Sequence, residues 1–157
     1  MIAAQPVLVL VDDDEEDAFI LRRAARQVQS SVSVQHLTDG AALFAGLRAG
    51  SLPPRCLVLL DLNMPTMDGF AVLERLRRAP GHEDLVVLVY STTSDQHQVD
   101  RAYACGANGF ITKPDSLAGT GALIGTLLSH WFEHGRLPRM PGPSAAGTGP
   151  GPGAAEP

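Results

Sequence analysis

The stretch VLVLVDDDEEDAFILRRAARQV, residues 7–28, decides the fold. Val7 to Val11 form an unbroken apolar run, which is how a strand buried on both faces of a parallel sheet reads. From Glu15 to Val28 the period changes to that of a helix, with Phe19, Ile20, Arg23, Ala24 and Val28 recurring at helical spacing. Asp14 is placed to cap that helix, and Asp17 follows three residues on. Between strand and helix stand Asp12 and Asp13. In an open α/β sheet, ligands bind just outside the carboxyl ends of the strands, so this acid pair lies where chemistry is expected.

The same grammar recurs along the chain. Cys56 to Leu60 run into Asp61, Val86 to Tyr90 into Ser91, and Gly109 to Thr112 into Lys113. Val32 to Leu37 alternate instead, as a half-exposed edge strand should. Asp39-Gly40 opens a helix through about Ala49, which Gly50 to Pro54 break. Further helices are predicted from about Asp68 to Arg78 and from about Asp95 to Cys105, closed by Pro80-Gly81 and Gly106. A last helix follows Pro114 and carries Gly119, Gly121 and Gly125. The order βαβαβαβαβα implies right-handed crossovers and a doubly wound, five-stranded parallel sheet of α/β class, flavodoxin-like, with strand order 2-1-3-4-5. Residues 1–137 read as one domain. The segment 138–157 is too rich in Pro and Gly to pack and is expected to be a disordered tail.

Composition narrows the function. A chain of 157 residues with net charge −5 has no clustered Lys/Arg to neutralise a phosphate backbone, so no nucleic-acid partner is expected. No apolar run approaches the ~20 residues that span a bilayer, and MIAAQP lacks the layout of a secretory signal, so the protein is expected in the cytoplasm, away from membranes. Cys56 and Cys105 make neither a disulfide framework nor a ligand cluster and read as packing residues.

Three carboxylates, Asp12, Asp13 and Asp61, brought to one sheet edge would repel one another unless a cation neutralised them. A hard divalent ion such as Mg²⁺ suits oxygen donors and commonly keeps a place for a phosphate oxygen. With charge absorbed, one carboxylate can attack phosphorus and give an aspartyl phosphate. Ser91 and Lys113 supply further donors.

From about Pro6 to His134 the chain resembles the receiver domain of bacterial two-component response regulators. The resemblance rests on Asp12-Asp13, on Asp61-Leu62-Asn63-Met64-Pro65-Thr66-Met67-Asp68-Gly69, on Ser91 and on Lys113-Pro114, with matching spacings between them. It implies that Asp61 accepts phosphate from a sensor histidine kinase. It also implies that Asp13, Asp61 and the Asn63 backbone carbonyl bind Mg²⁺, with Asp12 acting through water. Ser91, Thr92 and Lys113 would hold phosphoryl oxygens, Phe110 would be an aromatic switch, and the Lys113-Pro114 bond would be cis. A narrower likeness lies in the long Gly50 to Arg55 connection and in the ending His130-Trp131-Phe132 with Leu137-Pro138. It is to stand-alone regulators paired with phytochrome histidine kinases, and it implies a bacteriophytochrome partner. Tyr90, where a smaller aliphatic residue is usual, and the glycine-bearing last helix depart from the pattern.

Taken singly these residues have plainer readings. Asp14 to Asp17 look like a solvated helix start. Asp61 could be a strand-end cap, Ser91 a helix-start hydroxyl, Lys113 a surface cation and Phe110 simple core. The five histidines show no ligand spacing. A flavin carrier of this fold would want a Ser/Thr/Gly-rich loop where the acids stand, and an aspartyl phosphatase would want an acid at position 63. The alternative that survives is a pseudo-receiver, a docking module that works without phosphate. No output domain fits after residue 137, so the expected output is protein contact or a phosphate sink, not a separate enzymatic activity. A homodimer is expected through the last helix, whose apolar residues from Leu117 to Phe132 spread over about half its circumference, with Gly121 and Gly125 allowing close approach and Trp131 or Phe132 buried.

Overall fold

The computed structural model describes residues 5–140 and 142. Five strands, β1 Val7–Val11, β2 Ser33–Leu37, β3 Leu57–Leu60, β4 Val87–Ser91 and β5 Gly109–Thr112, alternate with five helices. These are α1 Glu15–Val28, α2 Gly40–Ala49, α3 Gly69–Arg78, α4 Gln96–Ala104 and α5 Leu117–Leu128. All pairings are parallel and the sheet order is β2-β1-β3-β4-β5. Each expected element is present, with ends displaced by a residue or so, which is within the fraying of any helix or strand.

Local chemistry explains why each helix starts where it does. Asp14, Asp39, Asp68, Asp95 and Ser116 each accept a hydrogen bond from an otherwise orphaned amide of the first turn. Such a cap is worth about 1 kcal/mol. Gly50 closes α2 in the left-handed region at φ 63°, where glycine has no Cβ to clash.

The pleat sorts the core into two layers. Val9, Val11, Val58, Leu60, Val87 and Val89 face α2, α3 and α4, meeting Leu43, Phe70, Leu73 and Ala102. Leu8, Leu10, Leu57, Leu59, Leu88 and Tyr90 face α1 and α5, meeting Leu21, Ala24, Ile124 and Leu128. Burial on both sides is why β1, β3 and β4 read as continuous apolar runs. β2 is half exposed throughout, as an edge strand's alternation implies.

The carboxyl-terminal end differs from expectation. α5 passes into a π-helical turn, Ser129–His134, in which the Gly135 amide donates to the His130 carbonyl at 2.7 Å. Gly121 and Gly125 look inward: a Cβ at either would meet Val28 of α1, at 3.6 and 3.9 Å. Trp131 and Phe132 pack against the α1/α5 core layer of their own domain. These residues are partly covered within the chain and partly exposed. The Met140 amide donates to the Pro54 carbonyl at 2.7 Å, so the chain is tied back past residue 137. Most of the expected tail, residue 141 and residues 143–157, lies outside the described residues.

Candidate functional site

Three strand ladders run one residue beyond their strands and so carry side chains of set direction to the sheet's carboxyl edge. The Asp12 amide donates to Leu37, the Asp61 amide to Val11 and the Lys113 amide to Ser91, at 3.0, 2.9 and 2.7 Å. Continuing the pleat, Asp12, Asp61 and Lys113 all fall on the α1/α5 face, in line with Leu10, Leu59 and Ile111. Ser91 and Phe110 fall on the opposite face, in line with Val89.

On the first face the acids converge. Oxygens of Asp12, Asp13 and Asp61 lie within 4.8 Å of one another; Asp12 and Asp61 are buried and Asp13 is exposed. Lys113 reaches in from β5, its Nζ 2.8 Å from Asp12 Oδ2, 2.6 Å from Asp17 Oδ2 and 3.5 Å from Asp61 Oδ1. The first two are hydrogen bonds; the third is an ion pair beyond good hydrogen-bond length. Asp12 Oδ1 also accepts from the Asp14 amide at 2.9 Å. Its backbone carbonyl accepts from His36 Nε2 at 2.6 Å, which ties edge strand β2 to the pocket wall.

Electrostatics follow from that crowding. Burial raises the carboxyl of Asp12 above its ordinary value, opposed by the hydrogen bond from Lys113. Burial and the neighbouring Asp12 charge likewise raise Asp61, opposed by Lys113 and by the Asn63 amide. Burial alone would lower the Lys113 ammonium, yet its bonds to Asp12 and Asp17 and the charges around it raise its pKa above the ordinary lysine value. One ammonium thus serves several carboxylates, and the deficit of positive charge is met naturally by a hard cation. The donor set, three carboxylates with one at the solvent boundary, fits a divalent ion that prefers oxygen.

The remaining expected residues surround this cluster. Asn63 is exposed at the end of β3. Beyond it Thr66 sits at φ 71°, with the Met67 amide donating to Pro65 at 2.8 Å, a γ-turn on a β-branched residue. Such a conformation costs on the order of 1–3 kcal/mol and persists only where its surroundings enforce it. Close by, a Cβ at Gly69 would come 2.5 Å from the Asp61 carbonyl. The helix cap at Asp68 and the bare backbone at Gly69 let α3 start directly behind Asp61. Ser91 is fully buried, its Oγ accepting from the Thr93 amide at 3.3 Å, and Thr92 is exposed beside it. Phe110 is partly buried against the α3/α4 layer. The peptide bond before Pro114 is trans, contrary to the cis bond implied by resemblance. Trans is the lower-energy isomer for an X–Pro bond, and Lys113 reaches its partners from it.

Asp17 is the residue the sequence reading passed over. As the third residue of α1 it looked like one more helix-start acid, and only the fold brings Lys113 to it. A faint signal existed: an aspartate in that position of α1 cannot reach back to the cap as readily as a glutamate would, which leaves its carboxylate free for a tertiary partner.

Known proteins place this constellation. Residues 8–119 match the response regulator receiver domain. Response regulator Rcp1 of Synechocystis is 29% identical over 140 residues, covering 84% of this chain and 92% of its own. A Mn²⁺-bound crystal structure of Rcp1 superposes with a TM-score of 0.71 at 28% identity, covering 85% of this chain and 99% of that one. The phosphorylated cyanobacterial phytochrome response regulator RcpA superposes with a TM-score of 0.76 at 28% identity over 86% of this chain and 99% of that one. RPA3017, from red light signalling in R. palustris, gives the same values. The match spans most of the chain, and the chain belongs to the response regulator receiver domain family.

Proposed function

We propose that the protein is a stand-alone response regulator that accepts a phosphoryl group on Asp61 from a sensor histidine kinase, working in the cytoplasm in a phytochrome light-signalling pathway. The observation that carries this reading is the convergence of Asp12, Asp13 and Asp61 within 4.8 Å, bridged by Lys113. The similarity to RcpA and RPA3017 supports the light-signalling part.

In the proposed reaction an Asp61 carboxylate oxygen bonds to phosphorus while the phosphorus–nitrogen bond of the kinase's phosphohistidine breaks and returns its electron pair to the imidazole. Asp12, Asp13, Asp61 and the Asn63 backbone carbonyl would hold Mg²⁺, which when bound neutralises developing charge on the phosphoryl oxygens. Lys113 supplies a cation to one phosphoryl oxygen. Ser91 and Thr92 supply a hydroxyl and the loop beside it, and Phe110 turns with Ser91 as the switch. Burial favours the protonated form of Asp12 and Asp61, and positive charge placed beside them would restore the ionised form, which at Asp61 is the nucleophile. The domain promotes its own phosphotransfer and dephosphorylation and is no enzyme of another class. The proposed homodimer forms through the last helix and its extension, burying Trp131 or Phe132; light scattering of the wild type and of Trp131→Ala reports on it.

Phosphotransfer from a purified bacteriophytochrome kinase tests the whole reading. Label should pass to the wild type within seconds to minutes, stop on chelation of Mg²⁺, and be absent from Asp61→Asn. Undiminished labelling of that variant would refute the acceptor, and transfer unaffected by chelation would refute the role of the acid cluster. A domain that binds its kinase yet takes no label would instead be the pseudo-receiver.

A further inference from the structure

Tyr90 departs from the family pattern, and phosphoryl transfer as described makes no use of it. Its place in the sheet suggests one. β4 pairs with β5 so that Tyr90 lies beside Ile111, and both belong to the α1/α5 core layer. That is the face on which Asp12, Asp61 and Lys113 emerge one step further along their strands. Tyr90 is thus the last side chain of β4 beneath the acid cluster, and it is only 4% exposed. Lys113 Nζ lies 5.6 Å from the centroid of its ring. An ammonium within about 6 Å of an aromatic face is attracted to it, and the attraction strengthens when both groups leave water. The Lys113 side chain is itself only 9% exposed.

We propose that Tyr90 is a positioning residue for Lys113: its ring is the floor of the pocket on the α1/α5 face and holds the ammonium up at the mouth, among Asp12, Asp17 and Asp61. The proposal rests on the assignment of Asp61 as phosphoacceptor. A lysine on a flexible four-carbon stem among several carboxylates has more than one resting place. A small aliphatic residue beneath it would open space for the ammonium to settle lower, away from the position where a phosphoryl oxygen on Asp61 would meet it. The ring, not the phenol hydroxyl, provides the floor.

The test is the affinity of metal-loaded protein for beryllofluoride, read by amide chemical shifts at Ser91 and Thr92, at a temperature where every variant is folded. Tyr90→Phe should bind as the wild type does. Tyr90→Leu should bind roughly three- to tenfold more weakly, the loss of one desolvated cation–aromatic contact; Tyr90→Met, closer in volume, serves if the leucine variant does not fold. In a Lys113→Met background the leucine change should cost nothing further, because the group it acts through is gone. Wild-type affinity in Tyr90→Leu, or an equal loss with and without the ammonium, would make Tyr90 a packing residue and overturn the proposal. A wild type that fails to bind beryllofluoride would overturn the Asp61 assignment and this proposal together.

Discussion

The two faces of the sheet meet the pocket with different chemistry. On the α1/α5 face stand Asp12, Asp61 and Lys113 with Tyr90 beneath, a set of charges joined by short ion pairs. On the α3/α4 face stand Ser91, fully buried, and Phe110, partly buried, both uncharged and set against aliphatic core. In β4 one residue of register separates Tyr90 from Ser91, and in β5 three separate Phe110 from Lys113, an odd number in each case. The first face carries the charges, and on the proposed reading the second, with its uncharged hydroxyl and ring, carries the switch. A receiver needs both, and the period of two along a strand provides both from positions an odd number of residues apart.

If this division holds, variants on the charged face should alter stability in a pH-dependent way and variants on the neutral face should not. The largest effect is expected for Lys113→Met, which leaves Asp12 buried without its cation. Removing one partner of a buried pair costs about 3–5 kcal/mol. Denaturant melts of the metal-free protein at neutral pH should show that loss, and it should shrink as acid neutralises Asp12. An unchanged melt at neutral pH would remove Lys113 from the charge balance.

Next comes the proposed acceptor. Asp61 has a raised folded-state value, so its contribution to stability is fully present below the unfolded-state pKa of about 3.9 and is lost as pH rises through the higher folded-state value. At neutral pH its charge therefore works against the metal-free fold. Asp61→Asn should stabilise the metal-free protein at pH 7, and the gain should vanish in acid or on adding Mg²⁺. A variant less stable than wild type at pH 7 would invert the sign of this account.

On the neutral face, Ser91→Ala removes the acceptor of the Thr93 amide and should cost about 1 kcal/mol at every pH. A pH-dependent cost would blur the division between the faces. The smallest effect belongs to Asp17→Ala. Asp17 is partly exposed, so water screens its bond to Lys113, and a loss of about 0.5–1 kcal/mol is expected, decreasing with salt.

These residues also show what can be read from a chain alone. Asp12, Asp61 and Ser91 were legible because each ends a continuous apolar run that reads as a buried parallel strand, and Lys113 because it follows the short run Gly109 to Thr112; the topology then brings those ends together. Asp14 was legible as a cap because capping is local. Asp17 was not, since the acids of a first helical turn are equivalent until a partner from β5 singles one out. Gly121 and Gly125 were assigned to the right helix, but no sign in the sequence showed that Val28 of α1 lies beside them: periodicity tells which residues share a side, and packing tells what they meet there. The γ-turn at Thr66 had no signal, because a β-branched residue is a poor choice for positive φ and is held there by its surroundings.

The measurement that bears most directly on the central claim is the site of phosphorylation. After transfer from a histidine kinase in the presence of Mg²⁺, the aspartyl phosphate is trapped by borohydride reduction and the peptides are sequenced by mass spectrometry. The expected result is a single reduced residue at Asp61, with Asp12 and Asp13 unmodified. Reduction at Asp12 or Asp13, or a phosphoryl group carried on a residue outside this cluster, would contradict it.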